Sequence, residues 1–200
     1  MIALVDYGAG NLTSVKKALA AIGADVVVPA TPDQLSAARA VIVPGVGHFA
    51  ATRALTRGWV DAIRAVVTSG RPLLGICLGM QWLFEGSPEA PDCTGLGVLA
   101  GRCLRLTAET PGIKIPHVGW NALDIRRPDT IVAGLAPGAQ VYFTHSFVAP
   151  VTPDTVAVTE HGQWFAAIVQ RGPVTGVQFH PEKSGDVGLT ILRNFVRLAG

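Results

Sequence analysis

Four short apolar runs, Ile2–Val5, Asp25–Val28, Ala40–Val43 and Pro72–Ile76, punctuate the first half of the chain, separated by stretches long enough for a helix or a helical turn. This rhythm constrains the fold more than any other feature. Runs of consecutive apolar residues need cover on both faces, and parallel neighbours need a crossover between them. The pattern predicts an α/β fold, a doubly wound, mostly parallel sheet flanked by helices. Helices are expected over Leu12–Ile22, with Asn11 as N-cap and Gly23 closing it, and over Phe49–Thr68, closed near Gly70. A short helical turn fits Asp33–Ala38. The second half changes character. Gly97–Leu106, Val141–Val148, Thr155–Glu160, Trp164–Gln170 and Val174–Phe179 read as additional, antiparallel strands between Gly, Pro and Asp turns, and Val187–Leu198 as a closing helix. The Pro-containing stretch Gly86–Asp92 reads as an exposed loop. No repeat, low-complexity tract or linker divides residues 1–200, so a single domain is expected.

A hydrophobic content of 49% against 15% charged residues suits a sheet buried on both faces. The net charge is +2 and no basic stretch is longer than Arg126-Arg127, which argues against nucleic acid and anionic membranes as partners. The chain meets an acid at Asp6 with no basic segment before it, so its start reads as a first strand rather than a signal peptide. No apolar run approaches a membrane span. Cys77, Cys93 and Cys103 are odd in number and form no C-x-x-C, which favours a reducing cytoplasm over a disulfide framework.

The chemistry concentrates at Gly75-Ile76-Cys77-Leu78-Gly79, followed by Met80-Gln81. An apolar strand enters this segment and a helix-like stretch, Met80–Glu85, leaves it. A nucleophile on a sharp strand-to-helix turn needs small residues two before and two after it, because the backbones there crowd one another. This is the G-x-S-x-G elbow with sulfur in place of oxygen. A helix N-terminus beside the sulfur favours a thiolate and offers N–H groups to an oxyanion. Taken alone, the segment could equally be a small buried cysteine between packing glycines.

A second apolar run, Gly176–Phe179, ends in His180-Pro181-Glu182. Proline holds the residue before it extended, and residues two apart in an extended segment share a face. Glu182 is then in reach of one imidazole nitrogen of His180 and the other is free to face a thiol. Cys77, His180 and Glu182 thereby take the roles of nucleophile, base and orienter. Pro44-Gly45-Val46-Gly47, after a strand and before a helix, is a candidate for the second half of an oxyanion hole opposite the Leu78 N–H. An ordinary strand-helix turn has the same composition. Gly8-Ala9-Gly10 begins like a dinucleotide fingerprint, but Thr13 stands where its third glycine belongs and no acid ends the second strand. His48, His117, His145, His161 and His180 are dispersed and no H-E-x-x-H occurs, so neither a metal nor another cofactor is expected. Lys114–Asn121 and Tyr142–Phe147 read by default as half-buried strands, although their Trp and Tyr residues also suit an interface.

The segments Gly75–Gln81 and Gln178–Ser184 resemble the class I glutamine amidotransferases. Asp6–Leu12, Pro44–Gly47, Lys114–Asn121 and Tyr142–Phe147 are similar to the branch of that family that serves imidazole glycerol phosphate synthase in histidine biosynthesis. The resemblance covers essentially the whole chain, with His48 where a small residue is expected. It implies that Cys77 attacks the side-chain amide of glutamine, that His180 passes a proton to the leaving ammonia and that Glu182 orients His180. It implies an oxyanion hole at Leu78, Val46 and Gly47 and a glutamine site at Gly45, Gln81, His145 and Ser146. It further implies a separate (β/α)₈ cyclase subunit as heterodimer partner, contacted through Asn11, Trp120, Asn121, Tyr142 and Lys183, which receives the ammonia. A glutaminase firing alone wastes glutamine, so the 44–47 loop is expected to rest with an N–H turned away until the partner closes it. Other readings are a glutaminase for anthranilate, aminodeoxychorismate or pyridoxal phosphate synthesis, a different cysteine hydrolase, or a binding subunit without activity.

Overall fold

In the computed structural model, which describes residues 1–107 and 112–200, the four apolar runs form a parallel sheet. The first half comprises β1 (Ile2–Leu4), α1 (Leu12–Ala21), β2 (Val26–Val27), β3 (Ala40–Val43), α2 (Arg57–Thr68), β4 (Leu73–Ile76) and α3 (Leu78–Leu83). The second half comprises β5 (Leu104–Arg105), β6 (His117–Ala122), β7 (Asp124–Ile125), β8 (Gln140–His145), β9 (Phe147–Val148), β10 (Thr155–Glu160), β11 (Trp164–Arg171), β12 (Val174–Val177) and α4 (Gly185–Leu198). The main sheet runs β2-β1-β3-β4-β12-β11-β10-β7. Its first five strands are parallel and the last three antiparallel to their neighbours. β5 pairs with β9, and β6 with β8, in two antiparallel pairs outside it.

Strand alternation sorts the core into two layers. Ile2, Leu4, Ile42, Leu74 and Ile76 face Val15 and Leu19 of α1 and Ile191, Leu192 and Phe195 of α4. Ala3, Val5, Val41, Val43 and Leu73 face Ile63 and Val66 of α2 and Met80 and Trp82 of α3. Each of these large apolar side chains, removed from water, contributes about 1.5–3 kcal/mol. The N-cap expected at Asn11 is present: its Oδ1 accepts from the Ser14 N–H at 3.3 Å.

Three expectations need correction. The helix expected over Phe49–Thr68 divides into a 3₁₀ segment, Phe49–Ala54, and α2. His48 Nδ1 caps the first piece by accepting from the Ala50 N–H at 3.1 Å, the task this side chain performs where a small residue was expected. Leu55 is buried and Thr56 is extended, which re-aims the chain before α2 begins. The strand expected over Gly97–Leu106 survives only as β5. Upstream of it, the N–H groups of Leu96, Val98 and Leu99 donate to the carbonyls of Trp82 and Leu83, so the segment caps the end of α3 instead of pairing with a strand. The Gly86–Asp92 loop is not wholly exposed, because Ser87 and Ala90 are buried beneath it. Among the described residues, no helix is long and apolar enough to cross a membrane.

Candidate active site

β4 lies between β3 and β12, so its C-terminal end is the centre of the sheet's ligand-bearing edge. Cys77 follows at φ +52°, ψ −107°, the one non-glycine left-handed residue among those described. Such a conformation costs about 1–3 kcal/mol and persists only where its surroundings enforce it. Here the Cys77 N–H donates to the Val177 carbonyl at 2.8 Å, and the Cys77 carbonyl accepts from Gln81 in the first turn of α3. A side chain on Gly79 would run into the Val43 carbonyl, and one on Gly75 would come within 2.6 Å of the Gly79 carbonyl oxygen. The glycine spacing is thus a steric requirement of this elbow.

β12 runs beside β4, so the chain leaving Val177 emerges next to Cys77. The His180 N–H donates to the Tyr142 carbonyl at 2.9 Å, and Ser184 Oγ donates to the His180 carbonyl and accepts from the Tyr142 N–H. His180 is extended, as the following proline requires, but residues 181–183 form one 3₁₀ turn. The turn, and not a shared strand face, brings Glu182 back to the imidazole. His180 Nδ1 and Glu182 Oε1 stand 2.8 Å apart, with side chains only 1% and 2% exposed. Burial alone would lower the pKa of His180. The charge of the nearby Cys77 sulfur, then the hydrogen bond and charge of Glu182, raise it instead, to about 10.

The Cys77 sulfur faces a cleft of about 250 Å³ lined by Gln81, Glu89, Thr144, His145, Ser146 and Gly47, among others. A larger cleft, about 630 Å³, runs past Asn121–Ile125 and Trp164 and has no nucleophile on its walls. Four buried side-chain polar atoms lack a partner among the described residues: Tyr7 Oη, His145 Nδ1, His180 Nε2 and Glu182 Oε2. His180 and Glu182 are two of the three residues expected to form the triad, His145 lines the cleft, and the Tyr7 phenol has its pKa raised by burial and then by the Cys77 charge. Unsatisfied polar atoms gathered at one place mark it as built for a ligand or a reaction. Cys93 and Cys103 are buried as well. Cys93 sits 3.4 Å from Thr52 Oγ1, and burial pushes the Cys103 thiol up to about 12.

The structure also gathers residues that the sequence leaves apart. His117 Nδ1 lies 3.2 Å from His145 Nε2, and the His117 ring stacks on His161 at 3.9 Å. Burial, then His161, lowers His117 to about 4; burial, then His117, lowers His145. Both stay neutral near pH 7, which leaves His180 as the basic imidazole beside the thiol. Glu89, inside the loop read from sequence as exposed, turns its carboxylate inward to accept from the Phe49 N–H at 2.7 Å and lines the cleft. Only the acid itself could have signalled this.

Two of the three N–H groups expected to serve an oxyanion are engaged elsewhere in this structure. The Leu78 N–H donates to the Gly45 carbonyl at 3.3 Å, and the Val46 N–H to the Ala9 carbonyl at 3.0 Å. The glycine-rich Gly8–Asn11 segment therefore braces the 44–47 loop. Gly47, at φ +98°, supplies the left-handed turn that the loop needs. Gln81 is 4% exposed, and its Nε2 donates to the Phe147 carbonyl at 2.7 Å and to Gln178 Oε1 at 3.2 Å. On the surface beside His180, Lys183 Nζ lies 5.7 Å over the Tyr142 ring, which meets Trp120 edge-on at 6.1 Å. Trp120 and Val118 are each 57% exposed. Asn121 is tied to the Glu160 carbonyl, and Asn11 to its own helix.

A cysteine elbow at the end of a parallel strand, with a buried His-Glu pair just beyond the end of the neighbouring strand, defines a class of enzyme. Residues 3–199 match the family described as glutamine amidotransferase class-I, and the chain belongs to that family. The chain is 48% identical, over all of its length and 97% of the relative's, to imidazole glycerol phosphate synthase subunit HisH of Moorella thermoacetica. It is 52% identical to the protein of the same name from Gloeobacter violaceus, over 99% of the chain and 89% of the relative. Among solved structures, a glutamine amidotransferase superposes with a TM-score of 0.77 at 24% identity, covering all of both chains. PurLQS from Thermotoga maritima gives 0.76 at 22%, covering 98% of this chain and 97% of the other, and both likenesses speak to the fold.

Proposed function

We propose that this chain, as one amidotransferase domain over residues 1–200, is the glutaminase subunit of imidazole glycerol phosphate synthase. The observation that carries the reading is the buried His180–Glu182 pair, 2.8 Å apart, beside a cysteine held in a left-handed elbow. His180 takes the thiol proton and the Cys77 sulfur attacks the side-chain carbonyl carbon of glutamine. The negative oxygen of the tetrahedral intermediate needs the Leu78 N–H and an N–H from Val46 or Gly47, so the Gly45 carbonyl must first release Leu78. His180 then protonates the amide nitrogen, ammonia leaves, and a thioester remains on Cys77. Water, deprotonated by His180, attacks the thioester; the sulfur leaves and glutamate is released. Glu182 holds the imidazole in the correct tautomer throughout. The Glu89 carboxylate suits the α-ammonium of glutamine, and Gly45, His145 and Ser146 shape the rest of the site.

The ammonia passes to a cyclase subunit of (β/α)₈-barrel type, where it reacts with a phosphoribulosyl formimino-carboxamide nucleotide. Imidazole glycerol phosphate and an aminoimidazole carboxamide ribonucleotide result. Trp120, Tyr142 and Lys183, with Asn11 and Asn121, form the docking surface of this cytoplasmic heterodimer. The Tyr142 carbonyl holds the His180 backbone, so docking is felt directly at the base. Removing one oxyanion donor typically costs ~10²–10³ in turnover, which sets the scale of the gate. Glutamate release by the chain alone, with the cyclase, and with cyclase plus nucleotide tests the reading. Stimulation of roughly that size by cyclase and nucleotide is expected. Stimulation only by the synthase subunit of another pathway would replace it.

A further inference from the structure

We propose that Gln178 is a permanent hydrogen-bond donor to the Cys77 sulfur, locked in orientation by Gln81, and that it readies the nucleophile before glutamine or partner arrives. The proposal rests on Cys77 being the nucleophile. Gln178 directly follows β12, is fully buried, and anchors its backbone N–H on the Ala167 carbonyl at 2.9 Å. Its side-chain Nε2 donates to Cys77 Sγ at 3.8 Å, and its Oε1 accepts from Gln81 Nε2.

The orientation of both amides is forced. The Phe147 carbonyl can only accept, so the Gln81 group 2.7 Å from it is the nitrogen. That same nitrogen faces Gln178, whose near atom must therefore be its oxygen, which leaves the NH₂ toward the sulfur. Turning either amide over would set two acceptors or two donors against each other in a dry site.

A donor placed there discriminates between the two states of the sulfur. The thiol form can donate toward the Thr144 carbonyl, 4.0 Å away, while the thiolate is repelled by that oxygen. The Gln178 N–H favours the thiolate, because a hydrogen bond to an ionised acceptor is roughly twice as strong as one to a neutral acceptor. On ionisation the thiol proton passes to His180 Nε2, and the amide keeps its own. The resulting sulfur sits between an imidazolium and a neutral donor. The Leu78 N–H depends on the state of the 44–47 loop, whereas the Gln178 contact does not. The Gln178 contact and oxyanion stabilisation are thereby separate devices, and only the second waits on the 44–47 loop.

The test is alkylation of Cys77 by iodoacetamide in the isolated chain, without glutamine, followed by mass spectrometry of the Cys77 peptide across pH. Gln178→Met keeps the side chain's length and removes the donor. Its rate near pH 7 should fall about tenfold, and the loss should shrink towards nothing near pH 10, above the ordinary free-cysteine value of about 8.5. Gln178→Glu, which sets a carboxylate against the sulfur, should fall further. Gln81→Met frees the Gln178 amide to turn and should give a smaller fall, about threefold, with the same pH trend. A rate for Gln178→Met within about twofold of wild type near pH 7, or an equal loss at every pH, overturns the proposal. If Gln178→Met does not fold, Gln81→Met decides: no pH-dependent loss there overturns it too. Glutaminase activity is not part of this readout, so a chain that shows the expected alkylation profile but releases no glutamate even with cyclase and nucleotide would sink the proposed function and leave this inference standing.

Discussion

Glu182→Gln changes no volume and exchanges one carboxylate oxygen for an amide nitrogen, yet neither placement of the new amide fits. If its oxygen keeps the 2.8 Å contact with His180 Nδ1, the NH₂ falls where Glu182 Oε2 now lies, buried and without a partner. An unsatisfied buried donor costs about 1–3 kcal/mol. If the amide turns over, its NH₂ forces Nδ1 to accept, which moves the ring proton to Nε2 and removes the lone pair that must take the thiol proton. In either case the imidazolium loses a buried negative partner, about 1.5–2 kcal/mol of charge-assisted hydrogen bonding. Together these amount to roughly 2.5–5 kcal/mol, or ~10²–10⁴ in turnover. Glu182 is not among the residues that line the cleft, so the loss should fall on kcat, with KM changed less than about threefold. Glutamate release at saturating cyclase and nucleotide, across about pH 6 to 9, measures both. His180→Ala should be slower still. A kcat for Glu182→Gln within about threefold of wild type would show that the imidazole does not depend on this carboxylate and would refute the argument.

Cys77→Ala should abolish glutamine-dependent product formation while the complex still makes product from external ammonia; glutamine use at the wild-type rate would remove the nucleophile. Lys183→Ala and Trp120→Ala should each weaken cyclase binding about 5–30-fold, as loss of 1–2 kcal/mol at an interface does, with unchanged melting temperature. Unchanged affinity and stimulation in both would place the docking surface elsewhere. Stability should peak close to neutral pH. His117, lowered to about 4, and His145, also lowered, are bare in the folded chain, while the unfolded chain protonates them below about 6.5. Their contribution is therefore lost as pH falls from about 6.5 towards 4. His180, raised to about 10, contributes fully below about 6.5 and is lost as pH rises through 10. Denaturant midpoints across that range check the shape, and His117→Gln should flatten the acid limb; a midpoint unchanged by acid would contradict it.

The Cys77 elbow and the extended His180 were legible because their requirements are local. Gly75 and Gly79 admit no side chain, and Pro181 fixes His180 extended, so the residue types themselves report the geometry. The strands beside them were legible for a similar reason, since unbroken apolar runs admit only a doubly covered sheet. What stayed hidden depends on distant partners. Glu89 looks like any loop acid until the Phe49 N–H is brought to it. His117, His145 and His161 sit on or beside three different strands, and no spacing in the chain announces their contact. The 44–47 loop offered glycines, but the engagement of Leu78 with Gly45 and of Val46 with Ala9 is a choice among backbone states that a sequence does not record. Gln81 read as a residue of the glutamine site; it lines the cleft, and the sequence does not show that its amide nitrogen also holds Phe147 and Gln178.

The central claim is that glutamine is hydrolysed through a thioester on Cys77. The most direct measurement is rapid acid quenching of the complex during turnover with glutamine, cyclase and nucleotide, followed by peptide mass spectrometry. The account requires a γ-glutamyl adduct on the peptide that carries Cys77, accumulating before glutamate and absent in Cys77→Ala. An adduct on Cys93 or Cys103, or steady glutamate release from a chain that never carries one, would contradict it.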